Sequence, residues 1–328
     1  MHKALISAAF AALLLVGAAG AATAAGIPVI RVGWTIPAEE AKYLMMRRPQ
    51  DFPDIGKTYR IEWQQFQGTA PMLQAMNAGA LDCSTMAPIS LAQANINTGL
   101  KAYIVGSLAA ERPGYFSVFW AVKDGSAIHN AKDLKGKTLG VNAYGTSVHY
   151  FLKLWLKQNG VDPDRDVRIV ETGFAASENA IRSGRVDAGA MVQPFAMRAE
   201  KTGGLRPLFY LNQVLSPLVQ TFEGCRKEFV DSHRKLVRAY VRDFTRASRM
   251  VAAKPEEARQ AVAEITHMPI AMLDSFLLTR KDFYRDPDGH PDFAAIQRNW
   301  DLFAEAGFLP RRLDVKDFRR DDETAPVK

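Results

Sequence analysis

The sequence predicts an α/β protein of two lobes, each of alternating strands and helices, followed by a mostly helical C-terminal region. Three observations carry this prediction. The first is an internal echo. Residues 75–86 and 180–191, 105 positions apart, both read Ala-apolar-x-x-Gly-x-apolar-Asp-x-x-x-Met. In each copy a helix ends on a left-handed glycine cap, Gly79 or Gly184, and an apolar strand begins. Pro88 and Pro194 follow, where the chain leaves the sheet. Gly68 and Gly173, also 105 apart, stand ahead of the two helices, which favours a duplicated unit. The second observation is the order of patterns: β alternates with α to about residue 225, and helices follow. The third is length, since 328 residues hold about two domains.

Each element has its own signal. Residues 29–34 read as a strand and 37–46 as a helix. Residues 59–66 alternate, with Ile61, Trp63 and Gln65 on one face. Helices are expected over 69–78 and 89–96, and strands over 102–108 and 116–122. The last of these carries the chain into the second lobe. There, strand 138–142 leads into a strongly amphipathic helix. Val148, Phe151, Leu152, Trp155 and Leu156 repeat at i, i+3, i+4, i+7 and i+8, and Gly160 ends it. Strand 167–170 and helix 175–183 follow, and residues 208–221 bring the chain back. Helices are expected at 235–253, 255–265, 270–278 and 293–305. The lobes then comprise residues 25–118 with 217–315, and 119–216, with a frayed charged tail at 316–328. Two crossings imply a hinge with a cleft beside it.

The N-terminus sets the expected compartment. Met1-His2-Lys3, an apolar run over 4–20 and the small-x-small Ala22-Thr23-Ala24 read as a cleaved signal peptide over residues 1–24. The run is too short for a comfortable membrane span. An exported, soluble chain from Ala25 is expected, which argues against ATP- and NAD-dependent chemistry. Composition is that of an ordinary globular protein, 48% hydrophobic and 23% charged, which excludes a disordered or fibrous chain. The net charge of +7 is dispersed, with no basic run longer than Arg311-Arg312 or Arg319-Arg320, so nucleic acid is not an expected partner. Two cysteines exclude a disulfide scaffold or a Cys-cluster metal site. Cys83 and Cys225 fit either a bridge or two buried thiols. A bridge requires the returning strand to lie beside the strand that contains Cys83.

Motifs for catalysis fail. Gly136-Lys137-Thr138 resembles the end of a phosphate loop, but Ala131 stands where its first glycine belongs, and a strand follows instead of a helix. The six histidines show no ligand spacing. Ser147 and His149 are two apart and do not face each other on a helix. No catalytic residue, metal or cofactor is expected. Several junctions before helices carry small or hydroxylated residues: Thr35-Ile36-Pro37, Gln67-Gly68-Thr69, Thr85-Met86-Ala87 and Tyr144-Gly145-Thr146-Ser147. Capping alone accounts for any one of them. Four together, at the carboxyl ends of strands in two lobes, favour a ligand crevice that attracts anions. Trp34, Tyr144 and Phe195 are aromatic candidates for packing an organic moiety, or else core.

The run Trp63-Gln64-Gln65-Phe66, continuing through Met72-Leu73-Gln74-Ala75-Met76-Asn77-Ala78-Gly79-Ala80-Leu81-Asp82, resembles the periplasmic solute-binding proteins of ABC importers for aliphatic sulfonates, taurine and nitrate. So do Asp133-Leu134-Lys135-Gly136-Lys137-Thr138-Leu139-Gly140-Val141, Gly145-Thr146-Ser147-Val148-His149, and Gly184-Arg185-Val186-Asp187-Ala188 with Gln193-Pro194-Phe195. Lys254-Pro255-Glu256-Glu257-Ala258 resembles the family's Asn-Pro-Glu-x-Ala turn, with Lys254 in place of Asn.

The resemblance implies the type II periplasmic-binding fold, closure on a small solute, delivery to a membrane permease, and a monomer. It maps ligand loops onto Trp34 and Thr35, Gln67, Gly68 and Thr69, Thr85, Gly145 to His149 with the adjoining Tyr144, and Gln193 and Phe195. Two departures stand out. Gln67-Gly68-Thr69-Ala70-Pro71 replaces the Ser/Thr-Gly-x-Pro of many sulfonate binders, and Gln193 replaces an acidic residue before Pro194. The second implies a plain anion or neutral solute rather than a zwitterion. The alternative reading is an enzyme or sensor on the same scaffold, related to pyrimidine-precursor synthases, whose Cys-rich active-site run is absent.

Overall fold

A computed structural model describes residues 26–320. The proposed signal peptide over 1–24 lies outside them. The first lobe opens with β1 (Val29–Trp34), α1 (Glu40–Arg47), β2 (Arg60–Gln65), α2 (Thr69–Asn77), β3 (Cys83–Met86), α3 (Pro88–Thr98) and β4 (Ala102–Glu111). The second lobe holds β5 (Phe119–Lys123), β6 (Thr138–Val141), α4 (Ser147–Gln158), β7 (Arg168–Glu171), α5 (Phe174–Ser183), β8 (Ala188–Met191), α6 (Phe195–Thr202) and β9 (Leu205–Tyr210). The chain returns through β10 (Leu218–Arg226) and ends in α7 (Lys227–Ser232), α8 (Arg234–Ala253), α9 (Pro255–Thr266), α10 (Ile270–Asp274) and α11 (Phe293–Glu305).

The two sheets have one topology. The first runs β2-β1-β3-β10-β4 and the second β7-β6-β8-β5-β9. In each, three parallel strands are continued by an antiparallel crossing strand, β10 or β5. The echo is thus structural: α2 and α5 start 105 positions apart, and so do β3 and β8. Gly79 and Gly184 take φ of 75° and 77°, the left-handed cap. The repeated aspartate also has a reason. Asp82 Oδ2 accepts from the backbone N–H of Arg31, and Asp187 Oδ2 from that of Thr138, each at 2.9 Å. Each carboxylate thereby fastens the strand of its own unit to the neighbouring central strand, β1 or β6.

The expected boundaries shift where backbone or side chains intervene. The helix expected from 37 begins at Glu40, because Ala38 sits at φ 70°, outside helical space. The helix expected over 270–278 stops at Asp274, and Leu278 is left-handed at φ 60°. The strand expected from 116 begins at Phe119, because Ser117 and Val118 bond the Glu111 carboxylate at the crossing. The tail expected to fray from 316 is anchored as far as described: Phe318 is buried, its ring 4.9 Å from that of Trp300. Helix α6 and strand β9 were not anticipated. The lobes also share an apolar cluster, in which Phe303 of α11 meets Phe151 of α4 at 4.9 Å between ring centroids.

Cys83 and Cys225 are opposite each other in the β3–β10 pair and form a disulfide. The bridge spans a sequence separation of 142. Replacing both with alanine is expected to cost about 2–5 kcal/mol, chiefly by freeing the unfolded chain. Urea unfolding of the double variant beside the oxidised parent measures it.

Candidate functional site

The carboxyl ends of the parallel strands in both lobes face one cavity of about 80 Å3. The first lobe contributes Thr35, Ile36, Pro37 and Ala38 after β1, Gln67, Gly68 and Thr69 at the start of α2, and Ala87 after β3. The second contributes Asn142 after β6, Thr146, Ser147 and Val148 at the start of α4, Phe174 at the start of α5, and Val192 after β8. Ala109, Val118, Gln220 and Thr221 form the hinge side, with Phe283 beside them. Among the described residues, no charged side chain lines this space.

Helix α4 delivers the polar feature. Its N-cap Thr146 accepts from His149 N–H, and the Thr146 hydroxyl is 2.9 Å from both Asn142 Oδ1 and the Ala143 carbonyl. Ser147 is buried, yet its Oγ has no hydrogen-bond partner. An unpaired buried hydroxyl is costly. Beside the free N–H groups of a helix start, it is a donor awaiting an acceptor. The lobes touch next to it. Ser90 of α3 donates to the Gly145 carbonyl at 3.0 Å, so the 2.8 Å contact between Thr69 and Ser90 has Thr69 as donor. Gln93 of α3 bonds the Tyr150 hydroxyl on α4.

The structure gathers Thr35, Gln67, Gly68, Thr69, Thr146 and Ser147 from the expected set around the cavity. It places the others elsewhere. Trp34 packs edge-on against Tyr43, 5.9 Å between centroids. Thr85 is fully buried; its hydroxyl accepts from Lys42 Nζ at 2.6 Å and donates to Glu39 at 2.5 Å. Tyr144 is half exposed and donates to the Ile169 carbonyl. Gly145 supplies its carbonyl to the lobe contact and its N–H to His149 Nδ1 at 3.1 Å. Phe195 lies under the Arg198 guanidinium. Gln193 donates to the Lys281 carbonyl at 3.0 Å and accepts from Met197 N–H, which ties the second lobe to the segment before Phe283. Its substitution for an acidic residue therefore removes no charge from the cavity. Asn142, Phe174, Gln220, Thr221 and Phe283 were not anticipated. Asn142 and Phe174 follow strands and were within reach of the junction argument. Gln220 and Thr221 show only as polar residues in an apolar returning strand.

A cavity between two lobes of one topology, at the carboxyl ends of their strands, defines a two-lobed protein of the periplasmic-binding fold class. The chain belongs to the NMT1-like family, whose model matches residues 24–267. A protein of Escherichia coli (strain K12) named for aliphatic-sulfonate binding is 25% identical over 323 residues, 95% of each chain. The alkanesulfonate-binding protein SsuA of Xanthomonas axonopodis pv. citri, solved bound to MOPS, superposes with a TM-score of 0.72 at 22% identity, covering 90% of this chain and 99% of that one. The periplasmic nitrate-binding protein NrtA of Synechocystis PCC 6803 gives 0.70 at 13% identity, covering 90% and 87%. Both structures show the same fold.

Burial pushes the His149 imidazole down to about 4, helped by the nearby Lys153 charge. In the unfolded chain it titrates near 6.5. Its neutral form therefore stabilises the fold fully above about 6.5, and that contribution is lost as pH falls toward 4. Glu39 and Glu111, raised to about 7 by burial, act in the opposite sense over part of this window. The variant His149→Asn keeps an acceptor for Gly145 N–H and leaves both carboxyls in place. Relative to the parent, it is expected to lose less stability between pH 7.5 and 4.5 in urea unfolding. Parallel curves contradict the assignment.

Proposed function

We propose that this chain is the periplasmic substrate-binding component of an ABC importer. It captures a small organic or inorganic anion, such as a sulfonate, nitrate or a related solute, by lobe closure and delivers it to a membrane permease. The observation that carries the reading is the cavity at the start of α4, where the Ser147 hydroxyl is buried and unpartnered. Oriented N–H groups and hydroxyls hold an anion there without a neutralising side chain, and the apolar walls take its organic part. Closure follows from differential contact: a solute bonded by both lobes stabilises the closed form over the open one. The names of the relatives favour a binding protein over an enzyme and an extracytoplasmic location. The protein acts as a monomer in this reading, without nucleic acid or cofactor.

A thermal-shift screen of residues 25–328 against sulfonates, nitrate, carboxylates and pyrimidines tests it. A solute at 100 times its Kd stabilises the fold by about 2.7 kcal/mol. An anion is expected to give the largest shift, and Thr146→Ala with Ser147→Ala to weaken it about tenfold or more, as for hydrogen bonds to a charged group. A shift with pyrimidines alone favours the alternative, a pyrimidine-precursor-related scaffold. Unchanged anion affinity in the double variant removes the role given to α4.

A further inference from the structure

Behind the hinge side of the cavity lies a buried carboxylate that the reading above does not use. Glu111 ends β4 where the chain leaves the first lobe, and it is 1% exposed. Its Oε2 accepts from Ser117 Oγ, whose oxygen in turn accepts from Asn212 N–H at 3.0 Å. Its Oε1 accepts from Val118 N–H at 3.1 Å and from Gln220 Nε2. Both crossing segments thus converge on one carboxylate.

Gln220 is there because of a β-bulge. In the β10–β4 pair, Val219 faces Ala110 and Thr221 faces Ala109, so Gln220 is the extra residue between them. Bulges of this kind re-aim a side chain. Here the amide lies between Glu111 and the cavity, which Gln220 lines. At pH 8, above the value of about 7 to which burial raises Glu111, the carboxylate is mostly ionised and only accepts, so it fixes which end of the amide faces it. One N–H of the amide nitrogen is held by Glu111 Oε1, which turns the amide oxygen away from the carboxylate. Gln220 Oε1 accepts no hydrogen bond from any described residue and is not enclosed by protein. It is a fixed acceptor, while Ser147 Oγ in the same cavity is a free donor.

We propose that Glu111 is a positioning residue that sets the hydrogen-bond polarity of the cavity's hinge side. By holding Gln220 Nε2 it presents Gln220 Oε1 to the solute. The cavity therefore selects an anion that also carries an uncharged hydrogen-bond donor, a hydroxyl or amide N–H, on its organic part. This rests on the reading that the cavity holds the solute. A partner lacking the donor leaves a buried carbonyl unpaired, and that penalty creates the selectivity.

Calorimetric titration at pH 8 with matched probes tests it: ethanesulfonate against 2-hydroxyethanesulfonate, and propionate against 3-hydroxypropionate. The parent is expected to favour the hydroxylated member of a pair about fivefold or more, as for one hydrogen bond. In Glu111→Gln the neighbouring amide no longer dictates the orientation of Gln220, and the ratio is expected to fall below about twofold. Gln220→Leu does the same and carries the test if Glu111→Gln does not fold. General damage weakens both members of a pair alike and leaves the ratio in place, so the ratio is diagnostic. Equal affinities in the parent, or a ratio kept in both variants, overturn the inference while solute binding stands. No binding of any member overturns the inference, while the functional reading stands or falls on the wider thermal-shift screen.

Discussion

The Lys42 ammonium is the constraint around which the first lobe is arranged. Its side chain is fully buried and reaches three strands as well as the start of its own helix. Nζ donates to the Gly33 carbonyl at 2.8 Å and to the Thr85 hydroxyl at 2.6 Å, and pairs with Glu223 at 2.7 Å and Glu39 at 3.5 Å. The Tyr240 hydroxyl closes the network by donating to Glu223 at 2.9 Å. Strands β1, β3 and β10 and helices α1 and α8 are joined at this point. Burying an ammonium is costly, and these partners offset the cost. Two carboxyls share one cation, and burial pushes both upward, Glu39 to about 7.

This cluster lies directly behind the cavity wall. Gly33 and Glu39 bracket Thr35, Ile36, Pro37 and Ala38, and Thr85 and Glu223 stand two residues from Ala87 and Thr221. The first lobe's share of the lining is therefore fixed by an ionic network, whereas the second lobe's share hangs on the capped start of α4. The same division explains the chemistry of the cavity. Charge is consumed behind the wall, and what faces inward is hydroxyl, amide, helix terminus and hydrocarbon.

Much of the fold was legible because its signals are local. A left-handed cap admits glycine at Gly79 and Gly184, and the repeated aspartates Asp82 and Asp187 satisfy strand N–H groups in both lobes. The i, i+3, i+4 pattern of α4 marks a face that is buried at Val148, Phe151, Leu152 and Leu156. The site was legible in part. The starts of α2 and α4 are recognisable because capping chemistry is local. Thr85 looked the same in sequence, but Lys42, 43 positions earlier, claims its hydroxyl. Gln220 was illegible for the converse reason. Its role depends on β10 inserting between β3 and β4 and on a bulge there, neither of which has a local signature. The Cys83–Cys225 bridge depends on the same insertion, so the sequence left it open.

The proposed function requires that a small solute draw the two lobes together over this cavity. Small-angle X-ray scattering of residues 25–328, alone and with the solute giving the largest thermal shift, tests it most directly. A smaller radius of gyration at saturation is expected. A profile that stays unchanged and open while the solute is demonstrably bound contradicts it.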